Sequence, residues 1–215
     1  DWSNAITQLS RAAESRTTDA DVAQKLGRAY METGEDRQAM EWFQKTLQLD
    51  RDNGTALTNI GRLYLQDGNW SEAASFLQRA VQSDPQNMVL RSYLGRAYLG
   101  ARNYDQAIQQ LEQVTQARPN DGGAWYNLGQ AYQANGQDGR AIDAYTRALQ
   151  FLPAGTGQRA EALYDIGFVY EKTGNYEDAL QALEDSAAIQ AQAKVTEAIE
   201  RVKERIRREK EGGGN

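Results

Sequence analysis

The sequence predicts an all-α chain of repeated antiparallel helix pairs, and three observations predict it. The 34 residues 54–87 hold two apolar stripes at helical spacing, Leu57, Ile60, Gly61 and Tyr64, then Trp70, Ala73, Leu77 and Ala80, with Gly68 between them. Counting on by 34 lands on the same residue types: Gly61 recurs as Gly27, Gly95 and Gly129, Tyr64 as Tyr30, Tyr98 and Tyr132, and Ala73 as Ala39, Ala107 and Ala141. The 3 prolines, Pro85, Pro119 and Pro153, share one repeat position, where a helix interior cannot continue.

These residues resemble the tetratricopeptide repeat (TPR) family, whose signature runs W-x2-L-G-x2-Y, then A-x3-F, then A and P. The resemblance spans nearly all of the chain. It implies a right-handed superhelical TPR solenoid of antiparallel helix pairs, closed by a C-terminal capping helix. Each repeat in such a stack buries its apolar faces only against its neighbours.

Taken in order, residues 1–19 read as the second helix of a partial repeat. Trp2, Ala5, Leu9 and Ala12 stand where Trp70, Ala73, Leu77 and Ala80 stand, but no first helix precedes them. Either the full protein continues upstream or this helix serves as a cap; an interrupted repeat predicts weak self-association through that face, or a gain in stability on restoring upstream sequence. Five full units follow, residues 20–53, 54–87, 88–121, 122–155 and 160–193. Asp19, Asn53, Asn87 and Asp121 precede the first four and suit the N-cap, where a side-chain oxygen accepts from free N–H groups.

A glycine inside a helix costs about 1 kcal/mol against alanine. The recurring Gly27, Gly61, Gly95, Gly129 and Gly167 therefore imply close approach of the paired helices, with a small residue such as Ala73 expected opposite. Gly34, Gly68, Gly136 and Gly174 fit the turn between the helices. Arg102 replaces that glycine in the third unit, which predicts a strained or differently shaped turn. The four extra residues within 153–159 read as a tolerated loop insertion. Residues 194–211 form a capping helix with Val195, Ala198, Ile199, Val202 and Ile206 inside. The absence of Gly and Pro between Ala179 and Lys194 predicts a slight bend there rather than a break. Residues 212–215 read as a flexible tail.

Composition narrows the function. The chain has no Cys and no His. Histidine-based triads, cysteine nucleophiles and the usual zinc sites are excluded within it, so no catalytic residue, metal or cofactor is expected. The 30 acidic residues against 24 basic ones, a net charge of −6, argue against nucleic acid as a partner. No apolar run is long enough for a bilayer, so a membrane partner is not expected. No signal-peptide pattern opens the sequence, which leans toward the cytoplasm. A leader removed ahead of Asp1 is compatible with it, and the compartment stays open.

The resemblance implies that the side of each first helix opposite its packing stripe lines a concave groove where peptides bind. Numbering each first helix from its first residue, that side carries Lys25 and Arg28, then Asn59 and Arg62, then Tyr93 and Arg96, then Tyr126, Asn127 and Gln130, and finally Tyr164, Asp165 and Phe168. Arg28, Arg62 and Arg96 are one repeat apart and form a ladder of cations in an acidic chain. Alternatively each is solvated or pairs with a carboxylate such as Glu32. Asn59 and Asn127 stand where peptide-binding members of the family carry an asparagine that grips the ligand backbone. The tyrosines offer flat apolar surface with a hydrogen-bonding tip, or else pack on neighbouring helices. The fifth unit adds Glu161, Asp165 and Glu171. The family's carboxylate clamp needs lysine at position 5 and asparagine at position 9 of a first helix, and the chain has neither there. The expected function is a non-catalytic protein–protein interaction scaffold or adaptor whose groove binds an extended or helical partner segment, acidic where it meets the arginines. The alternatives are the substrate-recruiting arm of a larger enzyme and a self-assembling oligomer.

Overall fold

The computed structural model describes residues 2–15 and 18–212, and among them finds twelve α-helices and no strand. They form two compact units. The first, Asp1–Asn103, holds α1 (Trp2–Ser15), α2 (Ala20–Glu32), α3 (Asp36–Leu49), α4 (Gly54–Gln66), α5 (Trp70–Ser83) and α6 (Met88–Gly100). The second, Tyr104–Asn215, holds α7 (Tyr104–Ala117), α8 (Gly122–Ala134), α9 (Asp138–Phe151), α10 (Gly157–Lys172), α11 (Tyr176–Ile189) and α12 (Ala193–Gly212). The predicted helix over residues 1–19 is α1, and residues 1, 16 and 17 of that span lie outside the described residues.

Local chemistry sets the helix starts. Asp19, Asn53, Asn87 and Asp121 each accept backbone N–H groups of the first turn that follows. Thr156 does the same for α10 through Arg159 N. That cap shifts the start of α10 to Gly157, three residues ahead of the expected Ala160. Three of the four extra residues therefore lengthen the helix to 16 residues, and one lengthens the connection before it. Helix ends depend less on proline than expected. α5, α7 and α9 stop two residues before Pro85, Pro119 and Pro153, yet α3 and α11 stop in the same register before Arg51 and Ala191.

The turn at Arg102 is strained but not reshaped. Its φ of 61° falls beside those of Gly34, Gly68, Gly136 and Gly174, between 73° and 82°. Asn103 N donates to Tyr98 O as Asn69 N donates to Tyr64 O. A left-handed conformation costs an L-residue about 1–2 kcal/mol, so the packing around the turn imposes it.

The mid-helix glycines correct a second expectation. What they face is large, not small. A Cβ on Gly27 would lie 2.7 Å from the Phe43 ring, on Gly61 2.5 Å from Leu77, on Gly129 2.6 Å from Tyr145 and on Gly167 2.9 Å from Leu183. Each glycine is a socket for the largest core side chain of the paired helix, and all four of those side chains are buried.

The junction before α12 also differs. Gln190 is extended, with φ −147° and ψ 104°, so the chain breaks there and does not merely bend. The break lets α12 turn its own stripe inward. Val195, Ala198 and Val202 are buried against Ala179 and Leu183, with Ile199 and Ile206 packed beside them. Gly212 closes α12, and residues 213–215 of the predicted tail lie outside the described residues.

Candidate functional site

The packing stripe decides which side of each first helix is left over. In α4, Leu57, Ile60 and Gly61 turn inward, while Arg62 is exposed. The 34-residue register repeats this on α2 and α6, so Arg28 and Arg96 are exposed as well. Among the described residues none of the three guanidiniums ion-pairs with a carboxylate, Glu32 included. Lys25 differs, since its Nζ lies 2.6 Å from Asp21 Oδ2 one turn back on the same exposed surface.

Arg62 is the centre of the first unit's face. Its Nη1 donates to Asn59 Oδ1 at 3.2 Å, and its guanidinium lies 5.8 Å from the centroid of the Tyr93 ring. These contacts hold the side chain without neutralising it. A hollow of about 650 Å³ lies on one side, lined by Thr58, Asn59, Arg62, Val89 and Tyr93 among others. Another of about 510 Å³ lies on the other side, lined by Arg28 and Arg62 and also by Glu32 and Asp36. Asn59 and Arg62 line both. Asn59 is only 8% exposed, so it reaches a ligand only from inside these hollows. Arg96 lines neither of the two.

The second unit uses the equivalent positions differently. Tyr126 is 8% exposed and follows the second alternative for the tyrosines, packing on a neighbouring helix and offering no flat face. Its Oη donates to Asp165 Oδ2 at 3.0 Å, and Gln130 Nε2 donates to Tyr126 Oη at 2.9 Å. Its ring lies 5.9 Å from that of Tyr145, whose hydroxyl donates to Gln133 Oε1 at 2.5 Å. Burial pushes both phenols well above their ordinary range, and the Asp165 charge adds to it. Burial also raises Asp165 above the usual carboxylate value, against the opposing effect of the bonds from Tyr126 and Gln130.

Asn127 and Tyr164 are half-buried. The Tyr164 ring carries Lys194 of α12, whose Nζ is 4.6 Å from its centroid. Phe168, one turn on, is 44% exposed. Glu171 is not presented as expected, because Arg201 bonds it from α12 and Arg205 adds a second cation. Those bonds hold its carboxyl below the ordinary range. Phe168 lies on the predicted stripe, whereas Lys194 was absent from it. The repeat register supplies Phe168, which holds the ninth position of its repeat, residues 160–193, as Arg28 does of residues 20–53. Nothing periodic points to Lys194, because α12 lies outside the repeat.

Among the described residues no helix is long and apolar enough to cross a membrane, and no group of His, Cys, Asp and Glu could hold a metal ion.

Comparison with known proteins follows the same repeat. The tetratricopeptide repeat family matches residues 20–53, 37–93, 64–128 and 122–192. Among solved structures, YrrB, described as a TPR protein with an unusual peptide-binding site, superposes with a TM-score of 0.77 at 23% identity, covering 91% of this chain and 97% of that one. MamA gives 0.69 at 24% identity, with coverages of 77% and 94%. The 41-end portion of MamA from Desulfovibrio magneticus RS-1 gives 0.72 at 19%, with coverages of 80% and 94%. At these identities the likeness is one of fold. A comparison with curated proteins found no match.

Proposed function

Because the chain belongs to the tetratricopeptide repeat family, we propose that it is a non-catalytic interaction scaffold whose first unit binds an extended, acidic segment of a partner protein across α2, α4 and α6. Interaction with other proteins is the role this fold serves, and a peptide-binding site is described for the similar YrrB. One observation carries the finer reading. Three exposed arginines recur at one register without a carboxylate partner among the described residues, and two of them flank a hollow.

Partly exposed ion pairs contribute about 0.2–1 kcal/mol each. Replacing Arg28, Arg62 and Arg96 together by Glu should weaken a partner segment, first identified by pull-down, by about 3-fold to 100-fold or more. The native affinity should fall with added salt, since charges are screened beyond about 8 Å at physiological ionic strength. Equal affinity of the folded triple variant, titrated by fluorescence anisotropy, would place the ligand elsewhere.

A second reading, self-association through α1, has its own support. Ala5, Leu9 and Ala12 are only half-buried, whereas the counterparts of Leu9, namely Phe43, Leu77, Leu111, Tyr145 and Leu183, are 0–1% exposed. Light scattering should then show a mass that rises with concentration and returns to the monomer in Leu9→Glu. A concentration-independent monomer removes this reading.

A further inference from the structure

We infer that the second unit carries a separate recognition surface of opposite charge: the face of α10 formed by Glu161, Tyr164, Asp165 and Phe168 receives a lysine or arginine side chain of a basic partner segment, and Lys194 fills that place in the free chain.

These four residues are spaced i, i+3, i+4 and i+7, so they share one side of the helix. Two of them, Glu161 and Phe168, are exposed. Asp165 sits deeper, and the groups that bond it, Tyr126 Oη and Gln130 Nε2, are both neutral donors. Among the described residues no lysine or arginine forms an ion pair with Asp165 or Glu161. Two carboxylates on one face therefore lack a bound counter-charge. The cation that does act on Asp165 is Lys194, which lies over the adjacent Tyr164 ring.

That contact shows what the surface accepts. An aromatic face beside a carboxylate is the arrangement that holds an ammonium or guanidinium group, by attraction to the ring quadrupole and to the charge. Lys194 is poorly anchored for a structural role. It is exposed at the second residue of α12, while the helix is held by Val195, Ala198 and Val202. Its flexible stem can leave without opening the core. Glu171, on the same helix, is already answered by Arg201 and Arg205, which directs an incoming cation to Asp165. Phe168 supplies apolar surface for the stem of the incoming side chain. The net charge of −6 assists the approach of a basic segment. This surface does not depend on the arginine row of the first unit.

The test uses the full chain and a fluorescein-labelled peptide of four alternating Lys-Gly pairs, titrated at physiological salt. Charge alone would attract such a peptide, so each variant has a charge-matched control at the far end of α12. Lys194→Ala should tighten binding by about 2- to 5-fold relative to Lys210→Ala, because a competitor has been removed. Asp165→Asn should weaken it by about 3- to 10-fold relative to Glu209→Gln. If Lys194→Ala behaves as Lys210→Ala does, or a folded Asp165→Asn behaves as Glu209→Gln does, the surface is a self-contained polar network and the inference fails. Should Asp165→Asn lose its cooperative thermal transition, the Lys194 pair decides alone, since that substitution touches no buried group.

Discussion

At the ninth position of successive 34-residue repeats the first unit places Arg28, Arg62 and Arg96, and the second places Gln130 and Phe168. In the first unit the arginines are exposed, and Arg62 is steadied by Asn59 and Tyr93 without losing its charge. In the second, Gln130 is tied into the Tyr126–Asp165 network, and Tyr164 is covered by Lys194. The same register thus yields exposed cations in one unit and, in the other, a hydrogen-bonded Gln130 and an exposed Phe168. The lesson is that a repeat position sets the direction of a side chain, while its neighbours decide whether it is available to a partner.

The largest effect that bears on this contrast lies beneath both faces. Gly61→Leu and Gly129→Leu should each destabilise the chain by overpacking, on the order of 1–3 kcal/mol. Gly129→Leu should cost more, because Tyr145 is held by Gln133 whereas Leu77 can change rotamer. Urea unfolding measures the difference. An equal loss at both sites would mean that the polar contacts of the second unit do not stiffen its core.

A smaller effect separates the faces themselves. Tyr126→Phe removes a donor from Asp165 and should cost about 1–3 kcal/mol, as expected for a part-buried hydrogen bond to a charged group. Arg62→Ala, on an exposed side chain that forms no ion pair, should stay within about 0.5 kcal/mol. Similar values for the two variants in thermal or urea unfolding would erase the distinction between a structural network and an available cation.

The smallest effect is read in pH. Asp165 and Glu171 lie on one helix with opposite shifts. Burial raises Asp165, so its contribution is present below the unfolded-state value, near 3.8, and is lost as pH rises through its raised folded value. Arg201 lowers Glu171, so its contribution is present above about 4.5 and is lost as pH falls through its lowered folded value. Unfolding midpoints from acid to neutral pH should therefore decline less on the alkaline side in Asp165→Asn and less on the acid side in Glu171→Gln. Parallel curves for both variants and the wild type would remove the electrostatic part of the comparison.

Much of this protein was legible in its residues. The 34-residue period, the N-caps at Asp19, Asn53, Asn87 and Asp121 and the turn glycines are local signals, and the backbone answers to them within a few residues. The outward direction of Arg28, Arg62 and Arg96 follows from helix periodicity alone, once the packing stripe is known. Other features depended on contacts between residues far apart in the chain. The glycine sockets face Phe43, Leu77, Tyr145 and Leu183 because side-chain volume must be accommodated across a helix pair. Tyr126 is buried because Asp165, 39 residues on, accepts its hydroxyl and Tyr145 packs on its ring. Lys194 reaches Tyr164 only because the chain breaks at Gln190 and brings α12 back onto α10 and α11. Periodicity encodes which way a side chain points. Whether its charge or hydroxyl is already satisfied is a property of the partners that tertiary packing brings within a few ångströms, and only the folded arrangement decides that.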